Sequence, residues 1–243
     1  MSIANSTDAG GVARAPSGFS IKKCTIKRFD DAEVDITPIV VNINLRESLY
    51  SPTIIAQIGI KDSANFLENL PIVGHERIHL ILERIEHDTE EERRIDLKFI
   101  VTEYPVFAKD ENNPNLSVYK LSAVGEHAYL SRLKDISRSF DGPTLKEIEK
   151  ILQEDLGHYN IRQLGTGITA AKGVLPRSKP LEACEWFRSR TVDKPESPLY
   201  IYQTIDGTIH LAFHSEIIQQ KRHGVYYDSR AFRSLPQSIS DYK

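Results

Sequence analysis

The chain reads as an α+β protein: an antiparallel β-barrel or sandwich, then a helical connector, then a second, partial β module. Three features predict this. Apolar and polar residues alternate up to residue 124, the period lengthens to that of a helix beyond Gly125, and alternation returns near the C-terminal end. The divisions that follow are a flexible arm over 1–18, a barrel domain over 19–124, a helical connector over 125–195, and strands of a second module over 196–243.

The arm is small, polar and Gly-rich, so it buries too little to offset the entropy of ordering. After it, Ile39, Val41, Ile43 and Leu45 alternate with Asn42, Asn44 and Arg46. Ile54, Ala56, Ile58 and Ile60 then alternate with Thr53, Gln57 and Lys61. The pattern is cleanest over 94–103, where Ile95, Leu97, Phe99 and Val101 oppose Arg94, Asp96 and Lys98. The charged connectors HDTEEER and KDENNPN read as hairpin loops, and about six strands result, enough for a small barrel.

Beyond Gly125 three helices are expected. EHAYLSRLKDIS is the first. TLKEIEKILQEDLG is the second, with Leu145, Ile148, Leu152 and Leu156 on one stripe, Thr144 and Glu147 at capping-box spacing, and Gly157 as its stop. SKPLEACEWFRSR is the third. PLYIYQT and TIHLAFH then form strands joined through Asp206-Gly207, a hairpin turn signal.

Composition narrows the function. The chain of 243 residues is 40% hydrophobic and 27% charged, with a formal net charge of −3 and interspersed signs. No concentrated cationic patch points to nucleic acid or to anionic lipid. Cys24 and Cys184 are the only thiols, which suits neither a disulfide framework nor a Cys-based zinc site, and a reducing assembly compartment is expected. The first residues lack the apolar core of a signal peptide, and no run of eighteen apolar residues predicts membrane insertion.

One segment carries a catalytic pattern. His75-Glu76-Arg77-Ile78-His79 fits H-E-x-x-H, in which a helix stacks two histidines about 6 Å apart to share one zinc, with the glutamate as base. In a strand the same histidines stand about 13 Å apart, too far for two ligands that each need about 2.0 to 2.1 Å. Pro71 and Gly74 nearby, the β-branched residues, and the polar loop leading into 94–103 all predict extended chain over 75–85. Leu82 and Ile85 also stand where the longer zincin motif has glycine and a third histidine. A zinc-dependent hydrolase with His75 and His79 as ligands and Glu76 as base is therefore the alternative reading.

Other motifs resolve toward structure. GTGITA, residues 165–170, matches a dinucleotide fingerprint, but Pro176 ends any following helix, so a glycine-rich loop is expected. Cys184, with His127, His158 or His210 as base, would make a nucleophile, yet its stripe with Leu181 and Phe187 predicts a buried hydrophobe. Trp186 suits core packing more than a partner interface, and the acidic run Asp88 to Glu92 reads as a solvated hairpin tip. No catalytic, cofactor-binding or metal residues are assigned.

The order of the segments LENLPIVGHERIHLIL, SRSFDGPTLKEIEKIL, PLEACEWFRSRT and SPLYIYQTIDGTIHLAFH resembles the baseplate central hub protein of contractile-tailed, T-even-like phages, from about residue 19 to the end. The residues that carry it are Leu70, Pro71, Ile72, Gly74 and Glu76, then Ser139, Phe140, Ile151 and Leu152, then Trp186, Tyr200, Tyr202, Asp206 and Gly207.

This resemblance implies a non-enzymatic virion protein with tail-tube-like barrels, related to type VI secretion spike hubs. As a homotrimer it would adapt the sixfold tail tube to the threefold spike. The implied partners are the tube, spike and baseplate wedge proteins, with DNA passing through the lumen unbound. Assembly in the host cytoplasm and a place in the tail baseplate follow. The family's second barrel has more strands than are seen here, and no needle domain follows, so a partial second barrel and a separate spike chain are expected. A monomeric binding module on the same scaffold is the third possibility.

Overall fold

The structure, a computed structural model, describes residues 2–4, 19–28, 31–63, 72–84, 94–110, 113–193 and 197–221. The predicted loops at 87–93 and Asp88 to Glu92, and most of the predicted arm, lie outside the described residues.

Eight strands form one sheet: β1 (Ser2–Ala4), β2 (Phe19–Lys27), β3 (Glu33–Asp35), β4 (Val40–Arg46), β5 (Ile55–Asp62), β6 (Arg77–Arg84), β7 (Arg94–Asp110) and β8 (Asn113–Gly125). Their order is β1-β4-β5-β8-β7-β6-β2-β3, and every pairing is antiparallel. The predicted alternation is realised at most positions: Ile43, Ala56, Ile58, Leu80, Leu97, Phe99 and Leu121 share one buried core, while Asn42, Asn44, Arg94, Asp96 and Lys98 lie on the other face. Val41, expected on the apolar face, is instead exposed and Val40 is buried, because the register of β4 shifts between Val40 and Asn42.

The sheet does not close into the predicted barrel. β1 and β3 are its two edges, each three residues long. It is nonetheless rolled. Five residues carry the chain from Asp35 in β3 to Val40 in β4, a reach of about 17 Å. Six strand spacings in a flat sheet would hold those strands about 29 Å apart.

A 3-10 turn, Thr37–Ile39, spans the gap in place of a paired strand. Its polar groups are satisfied locally: the Cys24 N–H donates to Thr37 Oγ1 at 2.7 Å, and the Thr37 N–H to Asp35 Oδ1 at 2.9 Å. Pro38 has no N–H to offer a neighbouring strand.

The longest hairpin, β7 and β8, extends past the predicted 94–103 strand and through most of the predicted KDENNPN loop. Its register shifts between Glu103 and Val106, the interval that holds Pro105.

The second body follows Gly125. It contains α1 (Glu126–Leu133), β9 (Ile136–Pro143), α2 (Thr144–Lys150) continuing as a π-helical turn (Ile151–Asp155), β10 (Ile161–Leu164), β11 (Ala170–Ser178), α3 (Pro180–Arg188), β12 (Leu199–Gln203), β13 (Ile209–Phe213) and α4 (His214–Gln219). All three predicted helices form. The expected capping box at Thr144 and Glu147 does not: the Thr144 hydroxyl donates to the Thr169 carbonyl at 3.3 Å and Glu147 pairs with Lys150. Gly157, at φ +66, ends the segment as predicted, with its N–H on the Gln153 carbonyl.

The connector is also more β-rich than expected. β9 and β11 form an antiparallel ribbon, while β10 runs parallel to β13 in the sheet β10-β13-β12. The predicted hairpin is present, with Leu199 opposite Phe213 and Gln203 opposite Ile209. Ile148, Leu152, Leu175, Phe187, Leu211 and Phe213 form a second core.

Candidate functional site

The zinc pattern disperses in the fold. β6 begins at Arg77, so His79 lies on extended chain, but His75 precedes the strand at φ +74, in the left-handed region. Extended chain thus starts two residues later than predicted, and residue 85 lies outside the described residues. Glu76 is 3% exposed, and its two carboxylate oxygens accept the Val73 and Gly74 N–H groups at 2.8 and 3.0 Å. It holds the turn entering β6 together.

The histidines take separate partners. The His75 Nδ1 bonds the Tyr129 hydroxyl of α1, whereas His79 Nε2 meets Asp96 Oδ1 on β7 at 2.8 Å. Burial raises the Asp96 carboxyl, but His79 and Arg94 outweigh it and hold the group below its ordinary range. Among the described residues no three His, Cys, Asp or Glu side chains gather where they could hold one metal ion.

The other candidates fall into the packing. Cys184 is 2% exposed and burial pushes its thiol well up; Cys24, also buried, is raised to about 12. His127 bonds the Pro52 carbonyl, His158 the Asn160 carbonyl, and His210 the Thr204 hydroxyl while stacking on Tyr202 at 4.9 Å, so none is committed to Cys184. Gly165 and Gly167 form a loop that leads into β11 rather than into a helix. Trp186 stacks edgewise on Phe140 and Phe187, with Arg190 over its face at 3.9 Å.

Two further features are the outer surface of the sheet and the junction of the bodies. The first is the outer face and edges of the rolled sheet. Across β2, β6 and β7 its charges are paired: Lys22 with Glu83, Lys23 with Glu33, and Arg94 and His79 with Asp96. Such exposed pairs add little stability, but they leave a mixed-sign face, and among the described residues neither edge strand pairs with a further strand.

The second is a cleft of about 510 Å³ where the bodies meet, lined by His79, Lys98, Glu126, His127, His158 and Asp206 among others. Its floor is a polar junction. Gln203, 7% exposed, accepts the Ile54 N–H on Oε1 at 3.0 Å, and its own N–H donates to the Ser51 carbonyl at 3.3 Å. Glu47 accepts the Ile205 N–H. No motif announced Gln203, and His127 and His158 were singled out only as bases for Cys184; the Ile54 and Pro52 partners of Gln203 and His127 lie far away in sequence.

No protein-family model matches this sequence, and no curated protein does. Solved structures with a similar course include the tail protein from Neisseria meningitidis (TM-score 0.48, 11% identity, 80% of this chain and 50% of that one). The 43 kDa tail protein of prophage MuSo2 from Shewanella oneidensis gives TM-score 0.48 and 13% identity over 79% of this chain and 54% of that one. Prophage tail protein gp18 from Listeria monocytogenes gives 0.46 and 12% over 85% and 55%. The chain spans about half the length of these proteins.

Proposed function

We propose that the protein is a structural component of a phage tail or related contractile injection machine, a baseplate hub that joins the tail tube to the spike as a homotrimer. The observation that carries this reading is the rolled, unclosed eight-stranded sheet. A sheet with two short unpaired edges is completed at no cost in new backbone when copies or partners stand beside it, and closed symmetry removes the aggregation hazard of those edges. The motif order noted in the sequence supports the hub in particular, and the mixed-sign outer face suits protein neighbours better than nucleic acid. DNA would then pass the lumen unbound. Tube, spike and wedge proteins are the proposed partners, and the tail of the virion, assembled in the host cytoplasm, is the proposed location.

Mass measurement at micromolar concentration, with class averages of the particle, tests the reading. A ring of three copies is expected. A monomer alone and in the presence of tube and spike proteins would overturn it. Metal analysis of the same sample addresses the hydrolase: stoichiometric zinc lost in His79→Ala would favour an enzyme, whereas unchanged stability in chelator is expected.

A further inference from the structure

We propose that His127, with His158 packed behind it, forms an acid-sensitive latch between the rolled sheet and the second body. The two rings meet at the cleft, 5.1 Å apart between centroids and tilted by 55°. Each is held to a different part of the molecule. His127, on the first turn of α1, is 6% exposed and donates Nε2–H to the Pro52 carbonyl at 2.8 Å, on the strap between β4 and β5. His158, after the π turn, donates to the Asn160 carbonyl at 3.1 Å, in the loop that leads to β10. Gly125 permits this approach, since a Cβ there would stand 2.7 Å from Thr53 Oγ1 and 2.9 Å from the His127 ring.

Two histidines in such contact tolerate one another only while neutral. The charged groups that face the pair are Asp96 and Lys98 on β7 and His79 on β6 across the cleft, Glu126 on α1, and Asp206 in the β12–β13 turn. Asp96 is committed to His79 and Arg94, Glu126 to Arg77, and Asp206 to Thr204 and Thr208. Among the described residues each of these carboxylates already has a partner, and none is hydrogen-bonded to His127 or His158. Burial holds the His127 ring down to about 4, with the His158 charge pushing the same way against the Pro52 bond; burial likewise lowers His158.

The sign follows from linkage. A histidine whose folded pKa lies below its free value of 6.5 binds its proton more tightly once exposed, so opening takes up protons. The closed junction is fully favoured above about pH 6.5 and loses ground as pH falls toward 4. For His127 alone the open fraction rises about tenfold by pH 5.5 and on the order of 80-fold by pH 4.5.

Hydrogen exchange, corrected for intrinsic rates, reads the latch through the Ile54 and Gln203 amides, which bridge the junction, against the Ile58 and Ala183 amides, which lie within each body. On acidification to pH 4.5 the junction amides should lose protection by more than tenfold while the internal amides keep theirs. His127→Gln preserves a donor for Pro52 and should flatten that response. Loss of protection at all four amides together, or an unchanged response in His127→Gln, would overturn the proposal. If that variant does not fold, the His127 ring of the unsubstituted chain is titrated by NMR instead: a value below 5 supports the latch and one above 6 sinks it.

Discussion

Glu76 shows how one residue type in one pattern can serve opposite ends. In a helix its carboxylate would activate water between two ligated histidines. Here the left-handed backbone at His75 turns the chain, and the carboxylate closes that turn on two N–H groups. Hydrogen bonds to a buried charge are among the stronger ones. Glu76→Ala should therefore cost about 2 to 3 kcal/mol, seen as a lower urea midpoint with unchanged slope, and Glu76→Gln about half of that. The strand beyond was legible from its alternation. The turn before it was not, because nothing local in Gly74-His75 states which backbone groups a side chain two residues on will meet.

Among the elements, the first three helices and the β12–β13 hairpin were legible because their signals are local: a 3.6-residue stripe, a stop glycine, an Asp-Gly turn; α4, whose first residue the sequence placed in a strand, was not. β9, β11 and the parallel β10–β13 pair were hidden. Each depends on a partner distant in the chain, as Ile161 on Ile209, and short strands of mixed polarity carry no period of their own. The loop joining β10 to β11 is a tight place of this kind. Gly165 sits at φ +99 with Phe213 only 2.6 Å from where a Cβ would stand. Gly165→Ala combines backbone strain with a core clash and should destabilise the second body by about 2 kcal/mol or more, measured by the urea dependence of Trp186 fluorescence.

At the scale of the molecule, two separate cores meet at a junction that combines polar bonds with the packing of Ile205 on the first core and of Tyr50 on Tyr200, so the junction can open without either core unfolding. Gln203→Ala would leave the fully buried Ile54 N–H unpaired, a loss of about 1 to 3 kcal/mol. The expected outcome is that Trp186 fluorescence and far-UV circular dichroism, coincident in urea before the substitution, separate after it. That seam is where the acid response is proposed, whereas the open sheet edges are where assembly is proposed, so failure of either leaves the other standing.

Sequence by itself determined which residues are buried in most of β5, β6 and the first part of β7, where the first three helices fall and where the terminal hairpin turns, because each follows from a period or a turn within reach of neighbouring residues. Only tertiary structure decided that the sheet rolls without closing, that Glu76 is a clamp, and that His127 reaches the Pro52 strap with His158 against its ring. Those outcomes depend on distances between segments far apart along the chain, and such distances are set when the two cores pack.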